Sequence, residues 1–193
     1  SSSAIYGDLK NKRLSENSGP LLPISTYGAM KLASEAIISA ANESFLKKMF
    51  IFRFPNIVGF PSTHGAIHDF IKRLKKNPSK LMVLGNGKQR KVYMHVEDLI
   101  LSMDYIYKNS KEKISLFNIG PRDDGVTVRF IAKEVVKYFK KNKKINFEKK
   151  IKGWVGDVPY FKYSIKKFKK FAPNIKTYSK DAVIKAIKEL IKH

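Results

Sequence analysis

The sequence predicts an α/β fold with a mainly parallel sheet. Short apolar runs typical of buried strands alternate with amphipathic helical segments, and no repeat of fixed period is present. Hydrophobic residues make up 43% of the 193 residues, which is enough to fold most of the chain around a core.

The first predicted elements are a strand end over residues 1–7 and a loop over 8–24. The loop is broken by Gly19-Pro20 and Pro23. A long helix capped by Ser25 or Thr26 follows. Its predicted apolar face consists of Met30, Leu32, Ala33, Ala36, Ile37, Ala40 and Ala41.

The remaining elements alternate regularly. Strands or extended segments are predicted at 49–54, 81–84, 91–95, 115–119 and 145–151. Helices are predicted at 64–76, 96–107, 127–140 and 179–191. Lysine-rich stretches such as 166–170 are interpreted as solvated faces.

Charge and composition exclude several function classes. The net charge is +23, but only 6 of the 39 basic residues are arginine, so we attribute the charge to solvated lysines and expect no nucleic-acid partner. The absence of cysteine excludes disulfides and thiolate metal sites, and four histidines without a supporting cluster give no metal site. No signal peptide or membrane-length apolar run is present, so we expect a cytoplasmic protein without a membrane partner.

Tyr27 and Lys31 form the motif that carries chemistry. A phenol ionises in water with a pKa of about 10, and a neighbouring ammonium stabilises the phenolate. Residues four apart share one face of a helix, so such a pair can take a proton from a hydroxyl group. The same spacing recurs at Tyr6/Lys10, Tyr107/Lys111 and Tyr163/Lys167, but only Tyr27 follows a helix start and leads into a long amphipathic helix.

Ordered motifs around this pair resemble those of a known family. Three successive segments carry the resemblance: Ser2-Ser3-Ala4-Ile5-Tyr6-Gly7, residues 23–35 around Tyr27, and Arg53-Phe54-Pro55-Asn56-Ile57-Val58-Gly59. Later matches are Gly85-Asn86-Gly87-Lys88-Gln89, His95-Val96-Glu97-Asp98, Phe117-Asn118-Ile119-Gly120 and Gly156-Asp157-Val158-Pro159. Together they resemble the extended short-chain dehydrogenases/reductases of the NAD-dependent epimerase/dehydratase family.

The resemblance assigns roles to individual residues. It implies that Tyr27 is the catalytic acid/base and that Lys31 assists it and holds the nicotinamide ribose. It implies that Ser2 hydrogen-bonds the reacting hydroxyl. Pro55 is assigned with Tyr27 and Lys31 to binding of the cofactor, NAD. The implied substrate-binding residues are Ser2, Ser3, Asn56, Arg90, Lys91 and Asp157.

Two positions near the implied substrate site depart from the family pattern. Many relatives have an arginine at position 91, whereas here either Lys91 or Arg90 keeps the positive charge. Trp154 stands where sugar-nucleotide epimerases often carry an arginine, so Lys152 replaces it or the indole stacks on a flat group.

The resemblance also implies an architecture and partners. We expect a partial Rossmann-like parallel sheet with a smaller mixed α/β substrate-binding region. Residues 1–60 are assigned to the Rossmann-like part, and 61–193 mainly to substrate binding with some segments returning to the sheet. The glycine-rich dinucleotide turn is absent from these residues, so we expect the chain to be part of a longer enzyme, inactive alone and homodimeric when whole.

The expected reaction is NAD-dependent 4-epimerisation of a nucleotide sugar, preferably a UDP-sugar, through a transient 4-keto intermediate. Dehydratases resemble one another in two acids after the Ser/Thr, and here those places are Ser3 and Ala4. Alternatives are a keto-sugar reductase or dehydratase of the same family, or a non-enzymatic basic module that binds an anionic polymer.

Overall fold

Ten short strands and six α-helices make up the protein in the computed structural model, which describes residues 1–8, 13–139, 143–151 and 162–192. The strands are β1 Arg13–Leu14, β2 Met49–Arg53, β3 Asn56–Val58, β4 Lys80–Val83, β5 Arg90–Lys91, β6 Tyr93–His95, β7 Ile114–Asn118, β8 Val126–Thr127, β9 Lys144–Phe147 and β10 Lys162–Tyr163. The helices are α1 Thr26–Ser44, α2 Ala66–Lys76, α3 Val96–Asn109, α4 Val128–Tyr138, α5 Lys166–Phe171 and α6 Ser179–Lys192. A 3-10 helix at Ser3–Tyr6 precedes them.

The strand pairing confirms the predicted α/β fold with a mainly parallel sheet. Four described pairs are parallel, namely β1 with β10, β2 with β7, β3 with β6 and β4 with β9. The short β5–β8 pair is antiparallel. Parallel partners far apart in sequence require crossover connections, and the intervening helices supply them.

The β2–β7 pair brings the ends of two buried strands to one edge. Its register runs from Met49 opposite Ile114 to Arg53 opposite Asn118. Phe54 still bridges to Ser2, and Pro55 then interrupts the pairing, because proline lacks a backbone N–H. The chain then resumes as β3, which pairs Asn56 with Tyr93 of β6.

Two clusters of buried apolar side chains form the core. One joins α2, α4 and α6 to β4 and Tyr93, with Leu74, Leu81, Ile131 and Ile187 among its most buried members. The other combines Ile5, Tyr6 and Leu14 with later residues such as Met94, Phe117 and Phe168. The division of the chain at residue 60 stays a prediction.

The predicted strand end over residues 1–7 is wrong in part. Ser2 and Gly7 each make one parallel bridge, to Phe54 and Leu22, but the residues between them form the 3-10 helix. The Ser2 hydroxyl caps that helix by accepting a hydrogen bond from Ala4 N, and Gly7 ends it at a φ of 66°. A capping hydroxyl and a glycine at positive φ favour this tight turn over an extended strand.

The predicted apolar face of α1 is wrong for most of its residues, although Leu32 does pack against the second core cluster. Met30 is 64% and Ile37 is 69% exposed, whereas the buried residues of α1 are Gly28, Glu35 and Asn42. Those three residues are spaced seven apart, so they form one narrow stripe along the helix. The helix packs through that stripe because a glycine allows close approach and Glu35 finds a buried partner.

Smaller corrections concern three segments. Asn56 begins β3, a strand that the sequence does not predict, and Arg13–Leu14 pair as β1 inside the predicted loop. The lysine-rich stretch forms α5, which buries Phe168 between lysines that point outward. None of the helices in the described part of the chain combines the length and apolar character that crossing a bilayer requires.

Candidate active site

A cavity of about 830 Å³ opens where the 3-10 helix, the start of α1 and the ends of β2 and β3 meet. Six of the residues predicted for the site line it: Ser2, Ser3, Tyr27, Pro55, Asn56 and Lys91. Lys31 and Arg90 are not among its lining residues. Distant parts of the sequence thus converge on one space.

The Ser2 segment forms one wall of the cavity. Ser2 is largely buried and pairs with Phe54, and Ser3 N donates a hydrogen bond to Phe54 O at 3.0 Å. These contacts fix the 3-10 helix to the end of β2. The Ser2 hydroxyl oxygen already accepts from Ala4 N at 3.2 Å, so its proton is left to donate elsewhere.

The first turn of α1 presents Tyr27 to the cavity. The Ser25 hydroxyl caps the helix by accepting from Gly28 N at 3.1 Å, which confirms the predicted capping position. Tyr27 is 54% exposed, and Lys31 Nζ lies 5.5 Å from the centroid of its ring. Lysine and phenol therefore occupy the same side of the helix, as their spacing predicts.

Gly28 allows α1 to lie directly on the Ser2 segment. A Cβ atom at this position would stand 2.7 Å from Ala4 O and 3.0 Å from Pro23 Cβ. A side chain at this position would force the two backbone segments apart. The glycine next to Tyr27 therefore sets how closely the phenol approaches Ser2.

Asn56 is an exposed residue that lines the cavity. Its side-chain Nδ2 donates to Val92 O at 3.0 Å, and its backbone N donates to the same carbonyl at 3.2 Å. These bonds hold the amide in place and leave its carbonyl oxygen as an acceptor.

The two basic residues of β5 have different surroundings. Lys91 lines the cavity, whereas Arg90 Nη1 donates to Gly125 O at 2.6 Å. Successive side chains of a strand point to opposite sides, so only one of them can face the cavity. Asp157, Trp154 and Lys152 lie outside the described residues.

Sequence reasoning missed the loop that closes the far side of the cavity. Ser62, His64 and Gly65 line it, between β3 and α2. Ser62 Oγ donates to His64 O at 3.0 Å, and His64 Nδ1 is 3.2 Å from Thr63 Oγ1. Glu189 of α6 holds the start of this loop by accepting from Phe60 N at 3.2 Å. No sequence pattern marks this loop as part of the site.

A buried charged network behind the cavity was also missed. Arg53 Nη2 donates to Glu35 Oε2 at 2.7 Å, and Arg53 Nη1 donates to the Tyr6 hydroxyl at 3.0 Å. Burial opposes the charge of Arg53, but hydrogen bonds to Glu35 and Tyr6 outweigh it and raise the pKa of the guanidinium. Burial also raises the pKa of Tyr6, so its phenol stays protonated and donates to Asn118 Oδ1 at 2.8 Å. The sequence signal for this network was the charged residue Arg53 at the end of an otherwise apolar strand.

Three potential metal ligands approach one another outside the cavity. His95, Glu97 and Glu189 each offer an atom within 4.8 Å of the others. Their polar atoms already have partners: His95 Nε2 contacts Glu189 Oε2 at 3.0 Å, His95 Nδ1 accepts from Glu97 N at 3.3 Å, and Lys185 contacts Glu97. These hydrogen bonds account for the cluster without an ion.

Comparison with known proteins shows which family the chain resembles. The sequence model of the NAD dependent epimerase/dehydratase family matches residues 1–120. A putative UDP-glucose 4-epimerase of Methanocaldococcus jannaschii is 30% identical over 124 residues, covering 62% of this chain and 39% of its own. The UDP-glucose 4-epimerase of Lactobacillus helveticus is 29% identical over 141 residues, covering 62% and 42%. The chain spans less than half the length of these curated relatives.

Solved structures match the fold over the whole chain. A crystal structure of UDP-galactose 4-epimerase superposes with a TM-score of 0.86 at 32% identity, covering 100% of this chain and 62% of that one. The UDP-glucuronic acid 4-epimerase of Bacillus cereus, crystallised with UDP-glucuronic acid and NAD, gives 0.82 at 23% identity and coverages of 100% and 60%. The second likeness concerns the fold alone. Because the family match extends over well more than half of the residues, the chain belongs to the NAD-dependent epimerase/dehydratase family.

Proposed function

We propose that the native protein interconverts the C4 epimers of a nucleotide sugar, with a UDP-sugar as the preferred substrate. One observation carries the proposal: a single cavity gathers a serine hydroxyl, a tyrosine phenol, an amide and an ammonium, from Ser2, Tyr27, Asn56 and Lys91. These are the groups that proton transfer at a sugar hydroxyl and binding of a diphosphate require.

Proton transfer is assigned to Tyr27. Its phenolate oxygen accepts the proton of the sugar C4 hydroxyl, and the same group returns that proton when the C4 ketone is reduced from its other face. The Ser2 hydroxyl donates a hydrogen bond to the C4 oxygen and keeps it beside the phenol. Lys31 places its ammonium nitrogen 5.5 Å from the centroid of the Tyr27 ring.

The residues of this chain suit the nicotinamide end of NAD, the cofactor of the family. NAD supplies the hydride acceptor and donor when it is bound. Tyr27 and Pro55 line the cavity and Lys31 lies beside it, so these residues would hold the nicotinamide ribose. The 193 residues contain no glycine-rich turn between a strand and a helix, so they offer no cradle for the pyrophosphate.

The charge of the cavity favours an anionic substrate. None of the described residues that line it is an aspartate or glutamate, whereas Lys91 and His64 are basic. A diphosphate placed near Lys91 and Asn56 would meet an ammonium and an amide. This supports a nucleoside diphosphate sugar over a neutral sugar.

The positions after Ser2 favour epimerisation over dehydration. Elimination of water needs acidic groups that carry protons to and from the sugar. Ser3 and Ala4 occupy those positions and both line the cavity. Epimerisation needs only the single acid/base that Tyr27 provides.

Tyr27→Phe in the native gene product that contains these residues tests the proposal. Loss of the phenol hydroxyl removes the acid/base, so we expect kcat for UDP-galactose to UDP-glucose conversion to fall by about 10²- to 10⁴-fold. Tyr107→Phe is the matched control, because Tyr107 and Lys111 have the same spacing on an exposed surface. Conversion is followed by a coupled assay for UDP-glucose.

The outcomes separate the alternatives. Retained turnover in Tyr27→Phe would remove Tyr27 from the mechanism. Net consumption of reduced nicotinamide by the wild-type protein would identify a keto-sugar reductase, because an epimerase recycles its cofactor. Salt-dependent binding of DNA that sugar nucleotides do not affect would identify a basic module without enzymatic activity.

A further inference from the structure

A buried guanidinium stands where three segments of the proposed site meet. The side chains of Arg53 and Glu35 are only 6% and 9% exposed. Arg53 Nε donates to Glu35 Oε1 at 3.0 Å while Nη2 donates to Oε2 at 2.7 Å. This bidentate geometry fixes both the distance and the angle between the end of β2 and the middle of α1.

The remaining nitrogen of Arg53 extends the network to the Ser2 segment. Arg53 Nη1 donates to the Tyr6 hydroxyl and to Glu16 O, each at 3.0 Å. The Tyr6 hydroxyl in turn donates to Asn118 Oδ1 at 2.8 Å, and Asn118 N donates to Glu16 Oε1 at 2.8 Å. One guanidinium thereby joins α1, β2, the 3-10 helix and the end of β7.

Each joined segment carries a residue of the proposed site. Glu35 follows Lys31 by four residues and Tyr27 by eight, and these positions share one face of α1. Asn56 follows Arg53 by three residues, and Ser2 precedes Tyr6 by four. Since α1 rises about 1.5 Å per residue, Glu35 anchors the helix roughly 12 Å from Tyr27. A change of angle at this anchor moves the phenol relative to Ser2.

Stability alone does not explain a charged pair in this place. Removing two charges from water costs several kcal/mol, and well-packed apolar residues of similar volume often stabilise a fold equally well or better. The pair fixes one orientation of α1, which apolar contacts do not do because they lack direction. Neither side chain lines the cavity, so neither touches a substrate there.

We propose that Arg53 and Glu35 are positioning residues that hold the Tyr27 helix at the distance from Ser2 and Asn56 that catalysis requires. The inference rests on the proposed function. It goes beyond that function by placing a determinant of turnover in the buried core and not in the cavity.

Two variants of the native gene product test the proposal. Arg53→Lys keeps the charge but loses the bidentate fork, and the double variant Arg53→Met with Glu35→Leu replaces the pair by apolar groups. We expect kcat to fall about 10- to 100-fold in both, because a displacement of about 1 Å at a reacting group costs up to 100-fold. KM should stay within about threefold, and the urea midpoint of the double variant should match the wild type. Asp104→Asn breaks an exposed ion pair with Lys108 and serves as the control.

A second readout keeps this test separate from that of the proposed function. Fluorotyrosine labelling gives a ¹⁹F resonance for Tyr27, identified by its loss in Tyr27→Phe. We expect this resonance to shift in both Arg53 variants and to stay unchanged in Asp104→Asn. If the wild type lacks epimerase turnover but the shift occurs, the proposed function fails, and the pair still sets the orientation of the Tyr27 helix.

Two results would overturn the positioning role. One is a double variant that folds and keeps the wild-type kcat and the wild-type Tyr27 resonance. The other is an Arg53→Lys variant whose loss of activity follows its loss of folded protein, with kcat per folded molecule unchanged. The first result would show that apolar side chains of similar volume position Tyr27 equally well. The second would show that the pair contributes only to the stability of the fold.

Discussion

The contact at Gly28 gives the sharpest test of how α1 meets the Ser2 segment. A Cβ atom on this residue would lie 2.7 Å from Ala4 O. Carbon and carbonyl oxygen in favourable contact stay about 3.3 to 3.6 Å apart, so Gly28→Ala must open the contact by about 0.6 Å. The obstacle is backbone, which the cap at Ser2 and the bridge to Phe54 hold in place.

Two opposing effects determine how much Gly28→Ala changes the free energy of unfolding. Overpacking a tight contact costs about 1 to 3 kcal/mol, while alanine improves helix propensity by up to about 1 kcal/mol. The expected net loss is about 1 kcal/mol, or roughly 2 to 4 °C in Tm for a chain of this size. If a 1 Å displacement costs 100-fold in turnover, 0.6 Å costs roughly tenfold in kcat.

Urea unfolding and the epimerase assay measure these two effects on the native gene product. Ala36→Gly, on the exposed side of α1, is the matched control: it should lose about 1 kcal/mol of stability through propensity while kcat stays unchanged. The reasoning is refuted if the free energy of unfolding of Gly28→Ala rises by the full helix-propensity gain of about 1 kcal/mol and its kcat equals that of the wild type. That result would mean that α1 does not rest on Ala4.

Two further predictions concern surface and pH. Burial raises the pKa of Asp98 above its ordinary value of 3.8, although His95 and Lys185 act in the opposite direction. Because the folded state disfavours the charged form, the wild type loses stability as pH rises through the raised pKa. The difference in Tm between Asp98→Asn and the wild type should therefore move in favour of the variant from pH 3.5 to pH 7. The control Asp104→Asn should show no such change. A Tm difference for Asp98→Asn that is equal at the two pH values would contradict the prediction. Ile37→Glu should reduce self-association of the 193-residue chain in light scattering, because Ile37 is 69% exposed in an apolar face; an unchanged mass would exclude that face.

Much of the fold follows from local patterns. The helices around residues 66–76, 128–138 and 179–192 begin and end within a few residues of their predicted bounds, because their apolar stripes are strong and Thr127 caps the second by accepting from Phe130 N. Strand β2 also agrees with its prediction to within one residue. Such elements are determined by periodicity and capping, which are properties of the sequence itself.

The errors fall where tertiary contacts override local preference. Met30 and Ile37 have the periodicity of a core face, yet α1 packs on Gly28 and Glu35 because only that side can approach the Ser2 segment and reach Arg53. Phe168 sits among lysines that hide its burial in the sequence. Local propensity is a weak prior wherever a partner from elsewhere in the chain decides burial.

The sequence by itself determined the family, the α/β class and the pairing of Tyr27 with Lys31, because ordered motifs and helical spacing are local information. Only the tertiary structure decided that Ser2, Asn56 and Lys91 share one cavity with Tyr27, and that Lys91 and not Arg90 lines it. Only the tertiary structure showed that His64 lines the cavity and that Arg53 and Glu35 form a buried ion pair. These pairings join residues 18 to 89 positions apart, so contacts between distant segments, and not local spacing, bring them together.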